Sequence, residues 1–179
     1  MSDNIVILSG SPRKDGNTDK LVSAFIDGAE SAGKAVSLFR VADMEIGGCL
    51  GCGYCFKEKG VCVQKDDMPQ ILDALHKAGA FVLATPIYFF NVSAQLKLAI
   101  DRTYALLSDK APIKKAALLM TCGNGGMRAA ESAIIMYKNM CFFSKWEEAG
   151  IILTEKLHEP DDIIGHAELE KARALGQEI

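Results

Sequence analysis

"IVILSGSPRKDGNTDKL", residues 5–21, decides the fold. Its first four residues form an unbroken apolar run, as expected of a strand buried on both faces in a parallel sheet. A loop rich in Ser, Gly, Asn and Thr follows, and a helix opens near Thr18. Free N–H groups at a helix start, together with hydroxyls, make an anion site. No Gly-Lys-Ser/Thr closes the loop, so it is not a Walker A loop, and it lacks the G-x-G-x-x-G pattern of dinucleotide folds. Hydroxyl and amide donors without a required lysine suit a terminal phosphate monoester. A turn with an Asn17 or Thr18 helix cap would explain Gly16 and Asn17. It explains less well why Ser9, Ser11, Arg13 and Thr18 converge after a buried strand.

Further along, short apolar runs alternate with helical patterns. The runs "AFVLA" (80–84), "AALLM" (116–120) and "IIL" (151–153) read as further buried strands, and the more mixed "AVSLFRV" (35–41) suits an edge strand. Leu21, Phe25, Ile26 and Ala29 form one helical stripe. Met68, Ile71, Leu72 and Leu75 form a second, opened by "DDMP" with an acidic cap and a proline in the first turn. Leu96, Ile100 and Leu107 mark a third, and residues 134–143 and 167–175 give two more. Five strands and five helices predict a doubly wound α/β sandwich of three layers. Ligands of such sheets bind outside the carboxyl ends of the strands, so the loops after Leu8, Ala84 and Met120 should carry the chemistry.

Composition narrows the function. The 179 residues are 49% hydrophobic and 24% charged, as in one ordinary soluble domain, here taken as residues 1–179 with a cysteine-rich loop at 47–63. A net charge of −3 argues against nucleic acid, which demands a basic face, and is mild for a dedicated acidic electron shuttle. The opening "MSDNIVILSG" has no basic segment before its short apolar run, so no signal peptide is expected. No run approaches a membrane span. A cytoplasmic, reducing location follows, where clustered cysteines more often serve metal or redox chemistry than structural disulfides.

The second loop, "TPIYFFNVSAQLKLAIDR" (85–102), brings Pro86, Tyr88, Phe89 and Phe90 to a strand end, with Asn91 and Ser93 able to cap the next helix. Such flat apolar surface suits a planar heterocycle, although core or subunit-interface packing is the better reading for at least one of Phe89 and Phe90. The third loop, "TCGNGGMR" (121–128), holds three glycines in four positions. They allow close approach of backbone to a ligand, or simply make a flexible turn.

Together "GSPRKDGNT", "TPIYFFNVSAQLKLAIDR" and "CLGCGYC" followed by "CVQKDDM" resemble the NADPH-dependent FMN reductase and flavodoxin-like superfamily, over most of the chain to about Trp146. The resemblance implies a five-stranded parallel sheet of order 2-1-3-4-5 and non-covalent FMN. Ser9, Ser11, Arg13, Asn17 and Thr18 would hold its phosphate. Pro86, Ile87, Tyr88, Phe89 and Asn91 would line the ring and ribityl chain, and Cys122, Gly123, Asn124, Gly125 and Gly126 would close the third side. The cysteine run points within that superfamily to the iron–sulfur flavoproteins.

That run, C-x2-C-x2-C-x6-C, comprises Cys49, Cys52, Cys55 and Cys62. Closely spaced thiolates let one loop wrap a cubane, Gly51 and Gly53 relieve its curl, and with no second run all four would serve one [4Fe–4S] centre. Zinc is a rival, but its four-cysteine sites usually set two C-x2-C knuckles well apart. A disulfide such as Cys49–Cys55 or Cys52–Cys62, or free thiols without metal, are the other readings. Cys141 is expected as a buried apolar thiol, and Cys122 as a small residue filling a turn. His76, His158 and His166 share no motif and read as surface or helix-end residues. Lys97 and Asp101 are spaced for an ion pair, and by the resemblance they and Arg102 belong near a subunit interface. No Ser-His-Asp or Cys-His set is present, as expected where a cofactor carries the chemistry.

By the resemblance, an FMN-dependent oxidoreductase is expected. NAD(P)H or reduced ferredoxin is the expected donor, and a quinone, an oxygen species or a redox protein the acceptor. An FMN-only NAD(P)H reductase with a metal-free loop and a non-enzymatic flavodoxin-like carrier are the alternatives. A homodimer or homotetramer is expected from the resemblance, with Tyr54, Phe56, Phe89 and Phe90 available for burial by a partner.

Overall fold

Each apolar run of the sequence becomes a strand of one sheet. The computed structural model describes residues 4–179, so the part of the N-terminal reading that rests on residues 1–3 lies outside the described residues. Strands β1 (Asn4–Ser9), β2 (Ala35–Arg40), β3 (Ala80–Pro86), β4 (Lys115–Thr121) and β5 (Glu147–Thr154) are all parallel, in the order β2-β1-β3-β4-β5. The mixed run is an edge strand, as expected. Strand β5 is longer than its apolar run. It occupies the other edge, where Glu147 and Glu148 can face solvent while pairing with Lys115 and Ala116.

Helices α1 (Asn17–Ser31), α2 (Tyr54–Lys57), α3 (Met68–Leu75), α4 (Ala94–Arg102), α5 (Gly126–Ser144) and α6 (Ala167–Glu178) complete the chain. The continuous strand runs have two partners, as burial on both faces requires. Ile5, Ile7, Val82, Ala117, Leu119 and Ile152 pack with α1 and α6. Their alternating neighbours Val6, Leu8, Phe81, Leu83, Leu118 and Met120 pack with α3, α4 and α5. The α1–α6 contact is backbone to backbone. A Cβ added to Gly28 would stand 1.9 Å from the Arg173 carbonyl oxygen, and one added to Gly176 would stand 2.1 Å from that of Phe25.

Leu107 departs from the expected third helix. Helix α4 ends at Arg102 and the chain tightens into a 3-10 turn over Thr103–Leu107. There the Thr103 hydroxyl donates to the Ile100 carbonyl at 2.7 Å, a local bond that competes with helix continuation. Among the described residues no helix is long and apolar enough to cross a membrane.

Candidate functional site

The three strand-end loops meet. A cavity of about 190 Å³ is lined by Ser11, Arg13, Asn17 and Thr18 from the first loop, Pro86, Ile87 and Tyr88 from the second, and Cys122 and Gly123 from the third. The α1 start carries no side-chain cap: Gly16 holds the cap position in extended backbone. Asn17 and Thr18 therefore do not act as caps. The Thr18 and Thr121 hydroxyls share a buried 2.7 Å hydrogen bond. Asn17 Nδ2 donates to Glu159 O at 2.9 Å and its Oδ1 accepts from Ile163 N at 3.2 Å, which ties the helix start to the loop after β5. Ser11 Oγ donates to Arg13 O at 3.2 Å. Arg13 is exposed at the rim and makes no ion pair among the described residues. Ser9, at the end of β1, is buried and does not line the cavity, and its hydroxyl has no hydrogen-bond partner among the described residues.

The second loop is shaped by an unusual turn. Tyr88 N donates to Asn91 O at 2.9 Å and Asn91 N to Tyr88 O at 3.2 Å. Phe89 and Phe90 between them have φ of 45° and 69°. Two positive φ values define a type I′ turn, which normally calls for Gly or Asn. Phe89 is 95% exposed and stands outside the cavity, its ring edge-on to Phe90. Asn91 also lies off the cavity and accepts Val92 N with its own side chain. Ser93 caps α4 as expected, accepting Leu96 N at 3.3 Å and donating to Gly10 O at 2.7 Å. In the third loop Asn124, Gly125 and Gly126 sit beyond the cavity, at the start of α5. Cys122 is buried and burial pushes its thiol up; Cys141 is buried beside Tyr137.

Several contributors escaped the sequence reading. Thr121, Leu157 and His158 line the cavity, and His158 arrives from the loop after β5, which had been given no role. His76 and His166 do sit at helix ends. Arg40, at the end of β2, braces the first loop: Nη2 donates to Ser11 O at 3.4 Å and to Arg13 O at 3.5 Å, while Nη1 pairs with Asp19. A cation leaving an edge strand carries no motif, so nothing in the sequence announced it.

The four clustered cysteines face a second cavity. Cys49, Cys52, Cys55 and Cys62 line about 370 Å³ together with Phe56, Arg102 and Tyr104. All are free thiols. Among the described residues no three Cys, His, Asp or Glu side chains stand close enough to share one metal ion. Burial pushes the Cys55 thiol up, and Cys62, Cys49 and Cys52 push the same way, so the four are within electrostatic reach of one another. The loop curls through positive φ at Gly51 and Gly53. It is held at both ends by one ion pair. Arg102, 2% exposed, donates from Nη1 and Nη2 to the two Asp66 oxygens at 2.7 and 3.0 Å, and from Nη1 to Gly47 O at 2.9 Å. Asp66 in turn accepts Gly47 N and Met68 N, supplying the acidic cap of α3 from one residue before Asp67. The Arg102 hydrogen bonds hold the Asp66 carboxyl at about 2. Arg102 thus turns inward, away from Lys97 and Asp101. Those two pair at 2.6 Å on the rim of an open groove of about 1110 Å³ between α4 and α5.

A parallel 2-1-3-4-5 sheet with helices on both faces, and a cavity between the loops at its carboxyl edge, defines a flavodoxin-like fold. The family model for NADPH-dependent FMN reductase matches residues 4–146, and the chain belongs to that family. Its curated relatives include iron–sulfur flavoproteins. One from Methanocaldococcus jannaschii is 34% identical over 136 residues, covering 76% of this chain and 68% of that protein. One from Archaeoglobus fulgidus is 42% identical over 93 residues, covering 52% of this chain and 42% of that protein. The chain spans about half the length of the Archaeoglobus fulgidus protein and of another Methanocaldococcus jannaschii iron–sulfur flavoprotein that it matches. An NAD(P)H:quinone oxidoreductase from Methanothermobacter marburgensis has the same fold, with a TM-score of 0.79 at 19% identity, over 97% of this chain and 94% of that one. So does the azoreductase AzrA, with a TM-score of 0.75 at 17% identity, over 98% and 100%.

Proposed function

We propose that the protein is an FMN-dependent oxidoreductase in which the strand-end cavity holds FMN and the cysteine cavity holds a [4Fe–4S] cluster. The observation that carries the reading is the convergence of the loops after β1, β3 and β4 on one cavity with an uncapped helix start. Membership of the family supports FMN as the cofactor. Ser11, Arg13, Asn17 and Thr18 would hold the phosphate, with Ser9 as a buried hydroxyl at the end of β1. Pro86, Ile87 and Tyr88 would receive the ring, with Phe89 and Asn91 shaping the turn beside it. Cys122 and Gly123 would bound the third side, with Asn124, Gly125 and Gly126 carrying that loop into α5. The enclosed volume of about 190 Å³ suits the phosphate and its sugar-alcohol chain and would leave the flat ring partly exposed to reactants.

The cysteine cavity supports the cluster by its donor set. A cubane spreads its ligands around a body much larger than one ion, so a roomy space walled by four thiols suits it better than a closed four-sulfur shell. Bound FMN would supply hydride uptake and one-electron release, and a cluster one-electron exchange. NAD(P)H or reduced ferredoxin is the proposed donor, and a quinone, an oxygen species or a redox protein the proposed acceptor. We read residues 1–179 as a single domain with its cysteine loop at 47–63, working as a homodimer or homotetramer in a reducing cytoplasm. The exposed Tyr54, Phe56, Phe89 and Phe90 support oligomerisation, and so does the apolar groove between α4 and α5.

FMN titration of flavin-free protein tests the site. Arg13→Ala and Thr18→Val should each weaken binding by roughly 10- to 100-fold, the cost of a lost hydrogen bond to a charged group. Lys97→Ala, far from the cavity, should leave it unchanged. Equal affinity in all three would contradict the site.

A further inference from the structure

The cysteine cavity contains a cation that the four thiols alone do not explain. Arg102 has a side chain only 1% exposed, and its two terminal nitrogens donate to Asp66 and Gly47. Its Nε–H is buried and has no hydrogen-bond partner among the described residues. Buried guanidinium donors are normally satisfied, so an orphan at a cavity wall marks the place of an acceptor. Arg102 lines the same cavity as the four cysteines, and Cys62 lies beside its guanidinium. A guanidinium stays cationic in proteins, so a positive charge stands in the wall of this cavity.

We propose that Arg102 is a positioning and potential-setting residue of the cysteine site, giving its Nε–H and its charge to a sulfur of the anionic cluster at the Cys62 corner. The inference rests on the cluster reading above. The same guanidinium performs two tasks. Its fork closes the loop by joining Gly47 to Asp66, and its Nε–H serves the ligand set. A hydrogen bond and a positive charge at a cluster sulfur favour the reduced, more negative state, so they raise the reduction potential.

The test uses full-length protein loaded anaerobically with ferrous iron and sulfide, with iron and sulfide content, flavin content and cluster midpoint potential as readouts. Arg102→Gln should retain FMN, load less iron and shift the cluster midpoint to more negative values. Asp66→Asn removes the opposite charge, so it should shift the midpoint to more positive values. A merely structural clasp predicts that both variants, having loosened the same loop, move the midpoint in the same direction. Should Arg102→Gln fail to fold, Arg102→Lys keeps the charge without the Nε–H, and a smaller negative shift is expected. Wild-type protein that loads iron, with variants whose midpoints are unchanged or move together, overturns the role of Arg102 alone. Wild-type protein that takes up neither iron nor sulfide overturns the cluster reading and this inference with it.

Discussion

At the residue scale, the ion pair of Arg102 and Asp66 makes a stability statement. Asp66 is lowered to about 2 in the folded chain, first by its hydrogen bonds from Arg102. A depressed carboxyl stabilises the fold above its unfolded value and loses that contribution as pH falls through its folded value. The side chain is 14% exposed, so screening by solvent is modest. The contribution is about 2 kcal/mol at neutral pH, disappearing between about pH 4 and pH 2. Urea midpoints measured across that range should fall more steeply for wild type than for Asp66→Asn. Parallel curves would contradict the coupling. This pair was not legible in the sequence: Asp66 opens "DDMP" and Arg102 ends "TPIYFFNVSAQLKLAIDR", but thirty-six residues separate them and nothing in either stretch pairs them. Arg40 and His158 escaped for the same reason: their roles come from where β2 and β5 deliver them. Ser9, Ser11, Arg13, Asn17 and Thr18 were legible because a buried strand and a helix start bracket them within a few positions.

At the element scale, two features trade stability against use. The Tyr88 to Asn91 turn forces two phenylalanines into left-handed backbone, at a cost of about 1–2 kcal/mol per residue. Strain of this kind is retained where a site needs it. Phe89→Asn with Phe90→Gly should therefore raise the unfolding free energy by about 1–2 kcal/mol, read from denaturant midpoints, while slowing turnover. A less stable variant would show that the rings pack in a way that offsets the strain. The second feature is the contact of α1 with α6. Gly28→Ala must push the Arg173 carbonyl away, and we expect a loss of roughly 3 kcal/mol, the upper end for overpacking. Thermal unfolding of this variant beside Ser23→Ala, on the exposed face of the same helix, measures it. The sequence read the strands and helices well because burial on two faces leaves unbroken apolar runs. It gave no hint of the type I′ turn, since both central positions of "YFFN" are phenylalanines, and it extended the third helix to Leu107 because apolar spacing continues through a 3-10 turn.

At the scale of the whole molecule, the parallel sheet delivers three loops to one edge, and the cysteine loop, between β2 and α3, adds a thiol-lined cavity. The layered parallel sheet, and three loops meeting at its carboxyl edge, followed from strand patterning together with the rule that ligands bind at carboxyl ends, while the strand order came from the family resemblance. What encloses the thiols did not, because a run of cysteines specifies spacing but not the cation behind it. The account's central claim is that one chain carries both a flavin and a cluster. The visible spectrum of anaerobically purified protein, taken with iron and sulfide analysis, tests it most directly. The account predicts flavin bands with a broad cluster shoulder and about four irons per chain, the shoulder lost and the flavin kept in Cys62→Ala. Flavin without iron would remove the cluster and leave an FMN reductase with free thiols. No flavin bands, even after FMN is added, would contradict the account at its base.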